Sequence, residues 1–134
     1  MLIIGLLIGG VVLGVLLVDE GEVVTLYTQD ADGERYETQI WVVDQGRELY
    51  VRAHFSRAHW LARIRSHPEV EIGRGEARQS FRARPVEDPE VKRAVNRAMA
   101  DKYGLADRLA SAVWDPKRSV PVHLDGDSAP AERP

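Results

Sequence analysis

Hydrophobic and polar residues alternate in short segments along most of the chain, a period of two that is typical of antiparallel strands with one solvated face. In one such segment Leu49, Val51 and Ala53 share a face, and polar or amphipathic residues occupy the other. Glycines at Gly33 and Gly46 supply turns between segments. The pattern predicts six strands, at residues 21–28, 35–43, 48–54, 69–72, 76–86 and 119–124.

Three other segments follow a helical period of three to four residues. The first, residues 56–66, ends before Pro68, because the residue preceding a proline avoids helical geometry. The second begins at an N-cap, Asp88, and ends at Gly104. The third covers residues 105–114. Short, closely spaced strands in a small domain favour a closed barrel, which has no exposed edge. The predicted fold is therefore mainly β (α+β): an antiparallel barrel of about six strands with two or three helices.

The chain opens on a run without any charged or polar side chain, residues 2–18, from Leu2 to Val18. As a helix it would span about 25 Å, near the lower limit for a bilayer core of roughly 30 Å. No basic residue precedes it, and Asp19 and Glu20 follow it, unlike a cleavable signal peptide. We expect a single-pass anchor at residues 1–20, a barrel domain at 21–125 and a polar, disordered tail at 126–134. A buried first element and a cleaved signal peptide are the alternatives for the first segment.

Glycines within this run recur at a spacing of four, Gly5 with Gly9 and Gly10 with Gly14. Small residues at this spacing let two membrane helices approach closely, although glycine is common in membrane helices in general.

Composition narrows the chemistry of the chain. The net charge is −3, so there is no overall field that would hold nucleic acid. The absence of cysteine excludes disulfides, thiolate metal sites and a cysteine nucleophile. The four histidines lack metal-ligand spacing, and we expect no metal site.

Three arginines, a serine, a histidine and a tryptophan cluster where the third strand leads into the first helix. Guanidinium and hydroxyl groups beside a helix N-terminus can bind an anion, and an indole can stack on a flat ring. The alternative is a core tryptophan with solvated arginines. The residues concerned are Arg52, Ser56, Arg57, His59, Trp60 and Arg63.

The order of several short motifs resembles the deazaflavin-dependent nitroreductase-type oxidoreductases, relatives of the pyridoxamine-phosphate-oxidase-type flavin-binding split barrels. A turn glycine, Gly33, precedes a strand tryptophan, Trp41, by eight residues. The other motifs are VTLYT (24–28), WVVDQG (41–46), LYVR (49–52), WLARI (60–64), HPEV (67–70), ARPV (83–86) and KYG (102–104).

This resemblance implies a split β-barrel, commonly a homodimer, that binds FMN or a deazaflavin coenzyme and carries out hydride chemistry with it. Arg52, Ser56 and Arg57 would hold phosphate or carboxylate, and Trp60 would flank the ring, with Arg63 in the same segment. Thr38, Gln39 and Trp41 would approach from the neighbouring strand. No catalytic side chain is assigned, and the substrate is a small molecule of unassigned identity.

The chain departs from the family at the first turn. Asp30, Asp32 and Glu34 surround Gly33 where the family has a basic turn, and Gln39 replaces a proline. Two hypotheses stand: a membrane-anchored flavin or deazaflavin oxidoreductase, and a cofactor-free split-barrel binding or interaction module. The arginines favour the first and the acidic turn the second. An extracytoplasmic barrel would meet little free cofactor, which favours a cytoplasmic domain. No basic residue flanks the anchor, so the distribution of positive charge does not set its orientation.

Overall fold

A computed structural model describes residues 21–126 of the chain. The predicted anchor at residues 2–18, its glycine pairs and the tail beyond residue 126 lie outside the described residues. Six strands and three α-helices occupy the described part: β1 Val23–Gln29, β2 Arg35–Gln45, β3 Glu48–Ala53, α1 His59–Ser66, β4 Glu69–Arg74, β5 Ala77–Pro85, α2 Pro89–Tyr103, α3 Leu105–Val113 and β6 Val120–Asp125. A short 3-10 helix, Pro116–Arg118, precedes β6.

The strands close into a barrel in the order β1-β2-β3-β6-β5-β4, and every pairing is antiparallel. The contact of β1 with β4 closes it, with Leu26 opposite Ile72. The predicted antiparallel barrel of about six strands with two or three helices is confirmed, with six strands and three α-helices in the described part of the chain. Within residues 21–126, no helix combines the length and apolar character needed to cross a membrane.

Two apolar clusters hold the domain together. The first fills the barrel interior and includes Val42, Val51 and Leu61, each without solvent exposure. The second lies outside the barrel wall, where α2 packs on β2 with α3 beside it and Tyr50 of β3 at the edge. This covering helix pair is why Trp41 and Val43 are buried although they alternate with the inward-facing Val42.

Candidate functional site

A cavity of about 530 Å³ lies between β2, the segment from β3 to α1, and the α2–α3 pair. Its size is in the range of small-molecule and cofactor sites. Apolar and aromatic side chains form most of its wall, with three arginines and one carboxylate among them. The lining residues are Glu37, Thr38, Gln39, Ile40, Trp41, Arg52, His54, Phe55, Arg57, Ala58, His59, Trp60, Arg63, Met99 and Trp114.

Seven of the eight site residues predicted from the sequence line this cavity: Thr38, Gln39, Trp41, Arg52, Arg57, Trp60 and Arg63. The eighth, Ser56, lines an adjoining open groove of about 1000 Å³. The groove shares His54, Phe55, Arg57 and Trp114 with the cavity, so Ser56 lies at the border between the two.

Arg52 is buried, and its terminal nitrogens bond to the helix pair. One donates to Asp107 at 2.8 Å and the other to Asn96 at 3.0 Å. The Asp107 side chain is 8% exposed, and the Ser119 hydroxyl donates to the same Asn96 oxygen at 3.3 Å. Arg52 therefore holds α2 and α3 against the cavity wall.

Arg63 and Arg57 differ from Arg52 in their surroundings. The Arg63 Nε donates to the Thr28 hydroxyl at 2.9 Å, and its guanidinium lies 4.0 Å from the centre of the Tyr36 ring. Arg57 is exposed at the loop before α1, where the cavity and the groove meet. Asp107 pairs with Arg52, and the charge of Arg63 acts on the nearby Asp30 carboxylate. Among the arginines that line the cavity, Arg57 is therefore the one without an acidic partner in the described part of the chain, and Glu37 is the cavity's single carboxylate.

Aromatic rings form flat walls in the cavity. Trp41 stacks on Tyr103 with ring centres 4.3 Å apart and planes within 6°. His54 stacks on Trp114 at 4.4 Å. Burial, and next the charge of Arg52, lower the pKa of His54 to about 4, so this imidazole is neutral at pH 7. Trp60 is half-buried: it packs against the barrel core and also lines the cavity. It is therefore both a core tryptophan and a lining residue, the two alternatives that the sequence left open.

The acidic turn between β1 and β2 uses its first carboxylate locally. One oxygen of Asp30 accepts from the backbone N–H groups of Asp32 and Glu34, at 2.9 and 3.0 Å, and the other from the Tyr36 hydroxyl. The Glu34 N–H contributes most to lowering the pKa of Asp30. Asp30, Asp32 and Glu34 are not among the residues that line the cavity.

Several lining residues were not predicted as site residues. His54 and Phe55 lie inside the segment that the sequence singled out. Met99 in α2 and Trp114 just after α3 lie 36 and 51 residues beyond Arg63, the end of that segment, and only the packing of the helix pair on the barrel brings them to the site. Among residues 21–126, no group of three histidines or carboxylates is placed to hold a metal ion.

Comparison with known proteins places the sequence in a family and the structure in a known fold. Residues 16–124 match the bacterial family described as "Uncharacterized protein conserved in bacteria (DUF2255)". No curated protein matches the chain.

Solved structures similar to the chain are split barrels of the pyridoxamine-phosphate-oxidase type. The heme storage protein HutZ from Vibrio cholerae is 20% identical, with a TM-score of 0.62, over 80% of this chain and 82% of that one. A candidate pyridoxamine 5'-phosphate oxidase from Listeria innocua is 14% identical, with a TM-score of 0.59, over 77% and 82%. A candidate 5-nitroimidazole antibiotic resistance protein from Bacteroides thetaiotaomicron is 12% identical, with a TM-score of 0.61, over 81% and 74%. At these identities the likeness establishes the split-barrel fold.

Proposed function

The chain belongs to the DUF2255 family, and we propose that its barrel binds a flavin or deazaflavin cofactor in the cavity and acts as a nitroreductase-like oxidoreductase anchored to a membrane. The observation that carries the proposal is the meeting of aromatic side chains and the guanidinium groups of Arg57 and Arg63 in one cavity of cofactor size. A planar ring with an anionic side chain has both features.

The aromatic side chains of the cavity would bind the flavin or deazaflavin ring. Trp60 and the stacked pair of His54 and Trp114 line the cavity, and their rings could stack on a planar ligand. Aromatic stacking contributes about 0.5–1.5 kcal/mol per pair beyond the burial of area. Thr38 and Gln39 would add polar contacts at the ring edge from β2, where Trp41 closes the wall.

The loop before α1 would bind the phosphate of the cofactor. Arg57, with Ser56 beside it, lies at the mouth of the cavity, and Arg63 faces the cavity from α1. Charge-assisted bonds to phosphate are worth about 1.5–3 kcal/mol each. Arg52 would act as a positioning residue, since its nitrogens already bond to Asp107 and Asn96. The bound cofactor would supply the hydride chemistry, and the protein its orientation.

The test is spectroscopic. Purified full-length protein would be examined for visible absorption, stripped of any ligand, and titrated with FMN, a deazaflavin coenzyme and heme. Heme is included because HutZ is named a heme storage protein and two histidines, His54 and His59, line the cavity. We expect saturable binding of a flavin or deazaflavin below high micromolar concentration.

Saturable binding of heme alone would reassign the cofactor. Binding of none of the three would favour the second hypothesis, a cofactor-free binding or interaction module. That hypothesis draws support from the acidic β1–β2 turn and from the prior engagement of Arg52.

We propose a single-pass anchor at residues 1–20, a barrel domain at 21–125 and a disordered tail at 126–134. The uncharged run at residues 2–18 supports the anchor. Full-length protein should sediment with membranes, and a variant lacking residues 1–18 should not. Gly9→Arg with Gly10→Arg should also release it, since each arginine costs roughly 2.5–3.5 kcal/mol at a helix centre on insertion scales. Full-length protein that stays in the supernatant would remove the anchor. We place the barrel on the cytoplasmic side of the membrane, because free cofactor is available to it there.

We further propose a homodimer. Split barrels of the nitroreductase-type family that the sequence resembles are commonly dimeric, and the glycines spaced four apart in residues 2–18 suit a close pair of helices in lipid. Sizing of the variant without residues 1–18 tests the barrel contact; a monomer would exclude it. Crosslinking of the membrane form before and after Gly9→Leu with Gly10→Leu tests the glycine seam; unchanged crosslinking would exclude that seam.

A further inference from the structure

Helix α3 has more apolar surface than the barrel covers. Its buried residues are Ala106, Asp107 and Ala110. Next to them, Leu105 is 52% exposed and Val113 is 45% exposed. Leu109, half-buried, and Ala112, exposed, complete the row Leu105, Leu109, Ala112 and Val113. This spacing of four, three and one residues puts the row on a single helical face.

The exposed row continues onto the barrel side. Phe55, which is 41% exposed, lines the same groove as Val113. Scattered exposed apolar residues are ordinary, but a contiguous row of them marks an interaction surface. Arg108 is exposed on the remaining polar side of α3.

The point where the chain enters the described domain lies beside the junction of α2 and α3. A Cβ built on Gly21 would lie 3.4 Å from the Tyr103 ring, and the Tyr103 hydroxyl donates to the Glu22 carbonyl at 2.7 Å. Tyr103 is the last residue of α2, and Leu105 opens α3 two residues later. The uncharged run ends at Val18, so at most about 10 Å of chain separates it from Gly21.

We propose that the apolar row of α3 lies on the lipid surface of the membrane, beside the point where the anchor enters it. This inference rests on the proposed anchor, because a run embedded in lipid would hold the α2–α3 junction within reach of the interface. An apolar helix face at that depth is buried among headgroups and acyl chains, in the manner of interfacial helices. The domain would then have a fixed orientation on the membrane instead of rotating on a tether.

The absence of cysteine permits a direct test with single labels on the full-length chain. Val113→Cys and Leu105→Cys would each carry an environment-sensitive fluorophore, in vesicles with and without lipids bearing a quencher. Asp32→Cys is the control, because it lies in the turn beyond the far end of β1, roughly 20 Å along the strand from Val23. Thermal unfolding would verify that each variant is folded.

The label at position 113 distinguishes docking of the α3 row from anchoring alone, because the anchor by itself already brings Leu105 near the membrane surface. We expect both α3 labels to shift to shorter emission wavelength and to be quenched by the lipid, while the label at position 32 stays unquenched. Quenching at position 105 without quenching at 113 would overturn the docking and leave the anchor intact. A shielded but unquenched label at 113 would mean a protein contact, from residues 2–18 or a second copy, and would also overturn it. Protein that does not bind vesicles would overturn the anchor and this inference together.

Discussion

Two arginines of the site illustrate how one residue type serves two purposes. Arg52 is buried and pairs with a buried carboxylate, whereas Arg57 is exposed at the cavity mouth. A charge removed from the interior leaves its partner unpaired in a medium of low dielectric, while a charge removed from a rim changes mainly what the rim can bind.

Arg57→Ala should weaken binding of the phosphorylated cofactor by roughly 10- to 150-fold, equivalent to a lost charge-assisted contact of about 1.5–3 kcal/mol. The melting temperature without ligand should not change. Fluorescence titration and thermal unfolding measure the two quantities. The matched control is Arg65→Ala, an exposed arginine of α1 that does not line the cavity. Equal affinity in both variants would remove Arg57 from the site.

Arg52→Ala should lower the free energy of unfolding by about 3–5 kcal/mol, because the buried Asp107 carboxylate loses its partner. The double variant Arg52→Met with Asp107→Leu should recover most of that loss, since a buried ion pair can be replaced by apolar groups of similar volume. Denaturant unfolding of the two single variants and the double variant measures the coupling. Additive losses would show that the pair is not coupled.

At the scale of elements, α2 is attached to the barrel through its last residue. Tyr103 stacks on Trp41, and its hydroxyl accepts from the Val42 N–H at 3.1 Å while lying 2.7 Å from the Glu22 carbonyl oxygen. Burial raises the pKa of Tyr103 to about 12, so the hydroxyl keeps its proton as a donor throughout the neutral range.

Tyr103→Phe should therefore cost about 1–3 kcal/mol of stability while leaving the ring stack in place, because it removes the partner of a buried backbone N–H. Thermal or denaturant unfolding measures the loss. Tyr36→Phe is the comparison, as its hydroxyl bonds an exposed carboxylate, and we expect a change within about 0.5 kcal/mol. A loss no larger than that of Tyr36→Phe would mean that water replaces the Tyr103 hydroxyl.

At the scale of the whole molecule, one carboxylate joins the start of the barrel to two distant elements. Glu22 accepts two bonds from Arg74, at 2.7 and 3.1 Å, and one from Lys102 at 2.7 Å. The hydrogen bonds from Arg74, with a smaller contribution from Lys102, lower the pKa of Glu22 from 4.5 to about 2.

A carboxyl group with a lowered pKa in the folded state stabilises the fold above its unfolded pKa, and this stability is lost as the pH falls through the folded value. Glu22→Gln should thus destabilise the protein by about 1 kcal/mol at pH 7, a figure reduced for solvent screening at a third-exposed side chain. The difference from the unmodified protein should shrink between pH 4.5 and 2. Urea unfolding across this range tests it, with Glu90→Gln as the surface control; a pH-independent difference would contradict the assignment.

The alternation of apolar and polar residues was enough to predict the barrel. Burial in the hydrophobic interior imposes a period of two on Val70 and Ile72, and turns require glycines such as Gly33 and Gly46, which adopt positive φ. These are local constraints, so the chain displays them in order. For the same reason the segment from Arg52 to Arg63, which is continuous, could be named as a candidate site, although residue types alone also fitted a core tryptophan with solvated arginines and the family resemblance favoured the site.

Tertiary packing decided the rest, because it depends on contacts between residues far apart in the chain. Arg52 alternates with apolar neighbours like a solvated strand residue, and only the docking of α3 buries it against Asp107. Trp114 reaches the cavity from the end of α3, where no nearby residue indicates it. The apolar row of α3 has the same periodicity as its core-facing side, and only the position of the barrel distinguishes the covered face from the exposed one. Periodicity thus determined which elements form, and long-range packing determined which of their faces meet.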